Sequence, residues 1–249
     1  MYGGLRLRVH MSLMFNMFLC NSFLPKAFMH SVIVPLVKCK NGDLSDVNNY
    51  RAICISTAMS KILEYAISDA VQTTDKCDAY QFGFKAGHST ELCTNVLKRT
   101  VDYFTSLGSH LFTCFIDFTK AFDTVNYWRL FYKLLQDGVN KFVVRLLSYW
   151  YCNQEACVRW KGSISCNFRF SNGTRQCGVL SPFMFSRYIR DMLCELVEAD
   201  AACNIGGVFI NVLAYADDLV LYAPTWQALQ HLINLFAKSC SFTVDSELV

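Results

Sequence analysis

The sequence is poor in charge. Asp, Glu, Lys and Arg make up 17% of 249 residues, against 53% hydrophobic residues. That balance excludes a self-repelling disordered chain and demands a sizeable core, enough for one large domain or two small ones. Net charge is scarce too: 23 basic and 20 acidic residues leave a formal +3. No strongly basic surface forces a nucleic-acid partner, so a local patch matters more than the total. Long apolar runs are missing. No segment reaches the roughly 18 uninterrupted apolar residues of a membrane span, and no membrane partner is expected. The thirteen cysteines include no CxxC pair. The nearest two, Cys152 and Cys157, have no matching His or Cys set, which removes the usual zinc spacing. Their odd, irregular distribution speaks against a disulfide framework and for buried thiols in a reducing compartment, hence an intracellular protein of cytoplasm or nucleus. No internal repeat or low-complexity tract interrupts the chain.

What is present is an alternation of helical and strand patterns. Arg6 and Arg8 precede an apolar stretch from Met11 to Cys20, as in a targeting segment, but Ser12 and Asn16 interrupt it and no small-residue cleavage site follows. Leu13, Met14, Met17 and Phe18 share one helical face, which predicts an amphipathic helical segment within residues 1–30. Ser31–Val37 reads as a strand, placed at a sheet edge by Pro35. A polar loop at residues 38–49 leads to a helix over Ser56–Ala70 with Met59, Ile62, Leu63 and Ala66 inward. Thr90 is expected to cap a helix striped by Leu92, Val96, Leu97 and Val101. Leu111–Phe118 is a strand. Helices follow over Val125–Leu135 and Val139–Tyr151, broken at Gly138. Residues 156–170 form a hairpin turning at Lys161-Gly162, and Pro182 opens a helix reaching about Val197. Val208–Tyr222 reads as two strands, Thr225 caps a last helix carrying Leu229, Leu232, Ile233 and Phe236 inward, and a strand begins at Phe242–Val244. Hairpins among helices predict an α/β (α+β) fold with a mainly antiparallel sheet backed by helices.

Carboxylates stand where they are costly. Asp217 and Asp218 interrupt the apolar run LAYADDLVLY (213–222), and Asp117 follows apolar residues in CFIDF, the end of the strand at 111–118. Each site on its own is either a plain turn or a ligand. If the strands are neighbours, the acids converge, raise one another's pKa, and favour a bound cation; Mg²⁺ suits such all-oxygen ligands. The segment GTRQCGVLSPFMF (173–185) opens a helix with a basic residue, an amide, glycine and hydroxyl. It is either an anion-binding helix start or a cap and turn held by Ser181-Pro182.

Six stretches, in order, carry a resemblance: NYRAICIS (49–56), SKILE (60–64), QFGFKAGHST (81–90), FIDFTKAFDTV (115–125), GTRQCGVLSPFMF and LAYADDLVLY. Together the chain resembles the reverse transcriptase domain of non-LTR retrotransposons, the long interspersed element type. The resemblance implies a right-hand polymerase fold, with fingers and the start of the palm over 31–110 and palm over 111–249. It implies RNA-directed DNA synthesis with an RNA template, a DNA primer, deoxynucleoside triphosphates and two Mg²⁺ ions, with Mn²⁺ as a substitute. Asp117, Asp217 and Asp218 match its metal-binding catalytic acids. Phe122 matches the aromatic gate beneath the incoming sugar, with a core phenylalanine as the plain alternative. Arg51 matches the fingers arginine that meets the triphosphate, and Gln176 the glutamine along the nucleotide. Lys85 is either a phosphate or template contact or a solvated charge. Arg175 is a nucleic-acid or local structural contact. Asp123 is left outside the metal site, at a strand-to-helix turn.

Two departures bear on activity. Cys177 stands where the family motif has glycine, adding a side chain beside the nucleotide pocket. No thumb is expected after the last helix and no endonuclease before the fingers, so the chain reads as part of a larger polyprotein or an inactive copy. The competing functions are a catalytically dead RNA-binding module and an RNA-directed RNA polymerase, the latter disfavoured by Phe122.

Overall fold

A computed structural model describes residues 4–71, 80–85, 87–118, 121–175, 178–199 and 203–243. In chain order the elements are α1 (Gly4–Asn21), α2 (Lys26–Met29), β1 (His30–Val37), β2 (Tyr50–Ser56), α3 (Ala58–Val71), α4 (Thr90–Ser106), β3 (Phe112–Asp117), α5 (Tyr127–Gln136), α6 (Lys141–Cys152), β4 (Glu155–Trp160), β5 (Ser163–Ile164), β6 (Phe168–Arg169), α7 (Ser181–Glu198), β7 (Asn204–Ile205), β8 (Val208–Phe209), β9 (Val212–Tyr215), β10 (Asp218–Ala223) and α8 (Trp226–Thr243). They fall into two compact units, Met1–Thr73 with Leu130–Ser181, and Thr74–Arg129 with Pro182–Val249. Among the described residues, no helix is long and apolar enough to cross a membrane.

The first unit holds a five-stranded sheet in the order β2-β1-β4-β5, with β6 also on β4. Pro35 does not make β1 an edge strand. β1 pairs antiparallel with β2 from Ser31↔Ser56 to Val37↔Tyr50, and parallel with β4 from His30↔Glu155 to Ile33↔Val158. The parallel ladder stops two residues before Pro35, so the missing N–H falls where that side has no partner. The β4–β5 hairpin turns at Lys161-Gly162 as the sequence predicts, with φ of 45° and 87° suiting a two-residue loop.

Helix α6 supplies much of this unit's core through Leu146, Leu147, Trp150 and Tyr151. The faces of two other helices are turned from those expected. In α1, Leu13 and Met17 are exposed, and Phe15 is the buried residue, with Phe18 edge-on to Phe28 at 5.2 Å. In α3, Ile62 is exposed while Ser60, Leu63, Glu64, Ile67 and Val71 face inward. The cause is polar: Ser60 Oγ donates to the Phe28 carbonyl at 2.9 Å, and Glu64 is drawn in by Arg175. A hydrophobic-periodicity reading puts Glu64 outside.

The second unit is built on an antiparallel sheet, β3-β10-β9, as the sequence predicts. Helix α8 lies against β3 and β10, and α4 against β9. Phe104 of α4 joins Cys203, Leu213 and Tyr222 in a buried cluster, with Val96 and Leu97 packed on it. Leu92 remains exposed, and the cap of α4 is Ser89, whose Oγ accepts from Leu92 N at 3.2 Å, rather than Thr90. Thr225 caps α8 as expected, its Oγ1 accepting from Ala228 N. Two strand expectations fail. The stretch 208–215 is cut at Asn211, a fully buried residue. Its carboxamide donates to the carbonyls of Leu196, Val197 and Ala199, and accepts from Cys203 N. Serving those groups at the end of α7 leaves only the two-residue hairpin β7–β8 upstream. Residues 242 and 243 continue α8 instead of starting a strand, and Val244 lies outside the described residues.

Candidate active site

The acids sit where one strand end meets one turn. β3 runs FTCFID, and its last residue, Asp117, is the register partner of Asp218, the first of β10. Asp218 also faces Tyr215 across the β9–β10 hairpin, so only Ala216 and Asp217 form the turn. Ala216 is left-handed, at φ 57°. An alanine in that region is strained by about 1–2 kcal/mol, so the turn needs support from outside itself. Asp117, Asp217 and Asp218 are therefore held at one end of three adjacent strands, two of them as direct cross-strand neighbours. Like charges opposite one another repel. The carboxyl of Asp218 is pushed above its usual range, first by partial burial, then by the charges of Asp217 and of Asp117. A divalent cation relieves that repulsion. Among the described residues no group of three His, Cys, Asp or Glu side chains forms a ready-made metal cage.

A residue not singled out in the sequence, Gln81, holds the turn. It is 3% exposed. Its Oε1 accepts from Ala216 N and Gly83 N, both at 2.8 Å, and its Nε2 donates to the Ala216 carbonyl at 3.0 Å. Gly83 presses on the same turn: a Cβ there would lie 2.3 Å from Ala216 N and 2.9 Å from its Cα, closer than any side chain allows. The partners are 135 residues apart in sequence, and no local pattern marks them. The hint was the QFGF stretch itself, which mixes a glutamine and glycine into an apolar run.

Phe122 lies in a short 3₁₀ turn, Ala121–Asp123, just after β3. Its ring stacks on Phe185 of α7 at 4.5 Å and 33°, and meets Phe84 nearly edge-on at 6.1 Å. Lys85 is half-buried in the turn that follows Phe84, its carbonyl accepting from His88 N. Asp123 ends the 3₁₀ turn and does not join the strand-end acids by register.

The remaining candidates belong to the first unit. Arg51 stands exposed on β2, opposite Leu36. Arg175 is in local structural contact. It is 6% exposed, its Nη1 reaches Glu64 Oε1 and Ser60 Oγ at 3.2 Å each, and its guanidinium lies 4.6 Å over the Trp150 ring. Glu64 also accepts from the amides of Val179 and Leu180, and Ser181 Oγ donates to the Arg175 carbonyl. Buried this way, Arg175 shapes the segment leading into α7 instead of presenting its charge to phosphate. Glu64 carries no signal in the sequence, because helical periodicity places it on the outer face of α3 while the structure buries it. Gln176 and Cys177 lie outside the described residues.

Residues 38–243 match the family model described as reverse transcriptase (RNA-dependent DNA polymerase). The chain belongs to the reverse transcriptase family. Members of this family generally use divalent metal ions. Among curated relatives is the Pol polyprotein from the type-1 retrotransposable element R2 of Popillia japonica, 25% identical over 202 residues, or 79% of this chain and 27% of that protein. The RNA-directed DNA polymerase from the mobile element jockey of Drosophila funebris is 25% identical over 243 residues, covering 92% of this chain and 26% of its own length. The chain thus spans about a quarter of the length of these relatives, and the resemblance to non-LTR retrotransposon reverse transcriptases is borne out. Among solved structures, telomerase from Candida tropicalis with the TWJ fragment of telomeric RNA superposes with a TM-score of 0.59 over 96% of this chain and 43% of that one, at 10% identity. At that identity the likeness establishes the fold: polymerase fingers and palm.

Proposed function

We propose that this chain is the fingers and palm of a non-LTR retrotransposon's RNA-directed DNA polymerase, extending a DNA primer with deoxynucleotides along an RNA template. In this reading β3, β9 and β10 are the palm sheet. The observation that carries it is the β3–β10 register, which sets Asp117 against Asp218 with Asp217 in the adjoining turn, in a chain whose residues 38–243 match the reverse transcriptase family. Asp117 and Asp217 would hold Mg²⁺, or Mn²⁺ in its place, with Asp218 adding negative charge beside them. Bound there, such ions would supply charge stabilisation for the attacking and leaving oxygens of phosphoryl transfer. The protein's part is to present the carboxylates from a stiff sheet end and a held turn. Phe122, backed by Phe185 and Phe84, forms the floor beneath the deoxyribose. By resemblance to the family alone, Arg51 is assigned to the triphosphate, Gln176 to the incoming nucleotide, and Lys85 to phosphate or the template backbone.

The test is primer extension on an RNA template with deoxynucleotides and Mg²⁺, comparing the unaltered protein with Asp117→Asn and Asp217→Asn. Each substitution removes charge without changing shape and is expected to lower the rate by about 10²–10³-fold, the scale set by losing one preorganised electrostatic group. Extension that proceeds equally in Asp217→Asn refutes the assignment.

A further inference from the structure

We infer that Gln81 is a positioning residue for the metal site: its carboxamide fixes the backbone of Ala216, and through it the place of Asp217. The inference rests on the proposed role of Asp117 and Asp217 and adds a residue that touches neither metal nor substrate. A left-handed alanine immediately before Asp217 has easier conformations available. A change of dihedral there swings Asp217 relative to Asp117, because the turn has only two residues.

Gln81 blocks that change on both sides of Ala216. One oxygen accepts the Ala216 N–H and the Gly83 N–H, and the amide nitrogen donates to the Ala216 carbonyl. The orientation of the carboxamide is fixed by this network. Flipping it sets an NH₂ group against two N–H donors and its oxygen against a carbonyl. Few side chains join an acceptor and a donor in one plane at this length, so the chemistry selects glutamine. The main chain reinforces the hold. Phe82 N donates to the Ala214 carbonyl at 2.8 Å, adding a short parallel rung at Gln81↔Ala214 beside β9. Buried at 3% exposure, Gln81 leaves three backbone groups without partners when its amide is removed.

The experiment compares the full chain with Gln81→Met and Gln81→Glu, using Mn²⁺ alone as probe, followed by electron paramagnetic resonance, and backbone amide hydrogen exchange without metal. Met keeps the length and loses all three bonds. Glu is isosteric, keeps the acceptor, and sets an oxygen against the Ala216 carbonyl, so it supplies a folded comparison if Met proves too disruptive. The expected result has two parts. Exchange at the Ala216 amide rises on the order of tenfold or more in Gln81→Met, while the β10 amides of Leu219 and Leu221 keep their protection. Mn²⁺ affinity falls on the order of tenfold in both variants, since a carboxylate site is sensitive to ligand placement. Unchanged Ala216 protection in Gln81→Met overturns the clamp. Lost protection with unchanged Mn²⁺ affinity reduces Gln81 to a structural part and overturns the inference while the proposed function stands. Failure of the unaltered protein to bind Mn²⁺, or equal binding by Asp217→Asn, refutes the proposed metal site and this inference with it.

Discussion

Replacing Glu64 with leucine removes one half of an ion pair whose two side chains are each 4% exposed. The guanidinium of Arg175 stays behind, over Trp150, in a setting where its charge was matched by one carboxylate. Breaking a buried pair from one side costs about 3–5 kcal/mol. The amides of Val179 and Leu180 also lose their acceptor, and each unsatisfied buried amide costs about 1–3 kcal/mol. A loss of at least about 4 kcal/mol is expected, a large part of the roughly 5–15 kcal/mol that holds a typical domain. For a protein of this size that lowers the melting temperature by about 10 °C or more. Urea midpoints and thermal melts of four proteins decide the matter: unaltered, Glu64→Leu, Glu64→Gln, and Glu64→Leu with Arg175→Met. Glutamine keeps an acceptor for the amides and is expected to fall between. The double variant removes the stranded charge and is expected to recover part of the loss, because an apolar pair of similar volume is often no worse than the ions it replaces. A single-variant loss below about 1 kcal/mol, the range of an ordinary surface change, refutes the reasoning. So does a double variant no more stable than Glu64→Leu.

Two further outcomes are expected. Phe122→Ala opens the floor beneath the sugar and should raise ribonucleotide use relative to deoxynucleotides by about tenfold or more, the scale of a shape-based pocket; unchanged selectivity in a folded variant removes Phe122 from that role. Burial pushes the thiols of Cys203 and Cys240 from an ordinary 9.0 up to about 11, and raises Tyr222 through burial first and the neighbouring Cys93 and Cys203 thiols second. These groups favour the folded state only while neutral. The contribution of the two thiols is complete below pH 9 and is lost as pH rises through about 11; that of Tyr222 is lost at still higher pH. Melting temperature should therefore fall between those values, less steeply in a Cys203→Ala, Cys240→Ala variant; an equal slope in both proteins refutes the assignment.

How much of this was legible in the sequence follows from the range of each interaction. Asp117, Asp217 and Asp218 were visible because an acid at the end of an apolar strand is costly wherever the strand lies, and the β3–β10 register sets Asp117 opposite Asp218. The Lys161-Gly162 turn was visible because its dihedrals are local. β2 was not read as a strand, since Arg51, Ala52, Ile53 and Ile55 are all exposed and no buried alternation marks YRAICIS. Gln81, Glu64 and Asn211 were silent for another reason. Each is a polar residue buried to satisfy backbone or charge more than ten positions away, and a sequence window ranks such residues as surface. Pro35 misled because the rule for proline concerns a single N–H, and β1 is central along only part of its length.

The pairing of β3 with β10 joins residues about a hundred positions apart, and that separation governs how the acids come together during folding. Ribosomes add about 5–20 residues per second, so β3 waits for about 5–20 s before its partner exists. Throughout that wait its hydrogen-bonding edge is open, and Phe115, which stays 70% exposed even in the finished sheet, offers no local cover. The β9–β10 hairpin, closed by two residues, forms on a microsecond scale once synthesised, and its capture of β3 is the slow, high-contact-order step. Truncated chains that stop before residue 223 contain Asp117 on a strand with no complete partner. They are the species in which edge-to-edge association is expected, and a chaperone that shields β3 until β10 emerges would raise the yield of folded protein more than one acting on the finished chain.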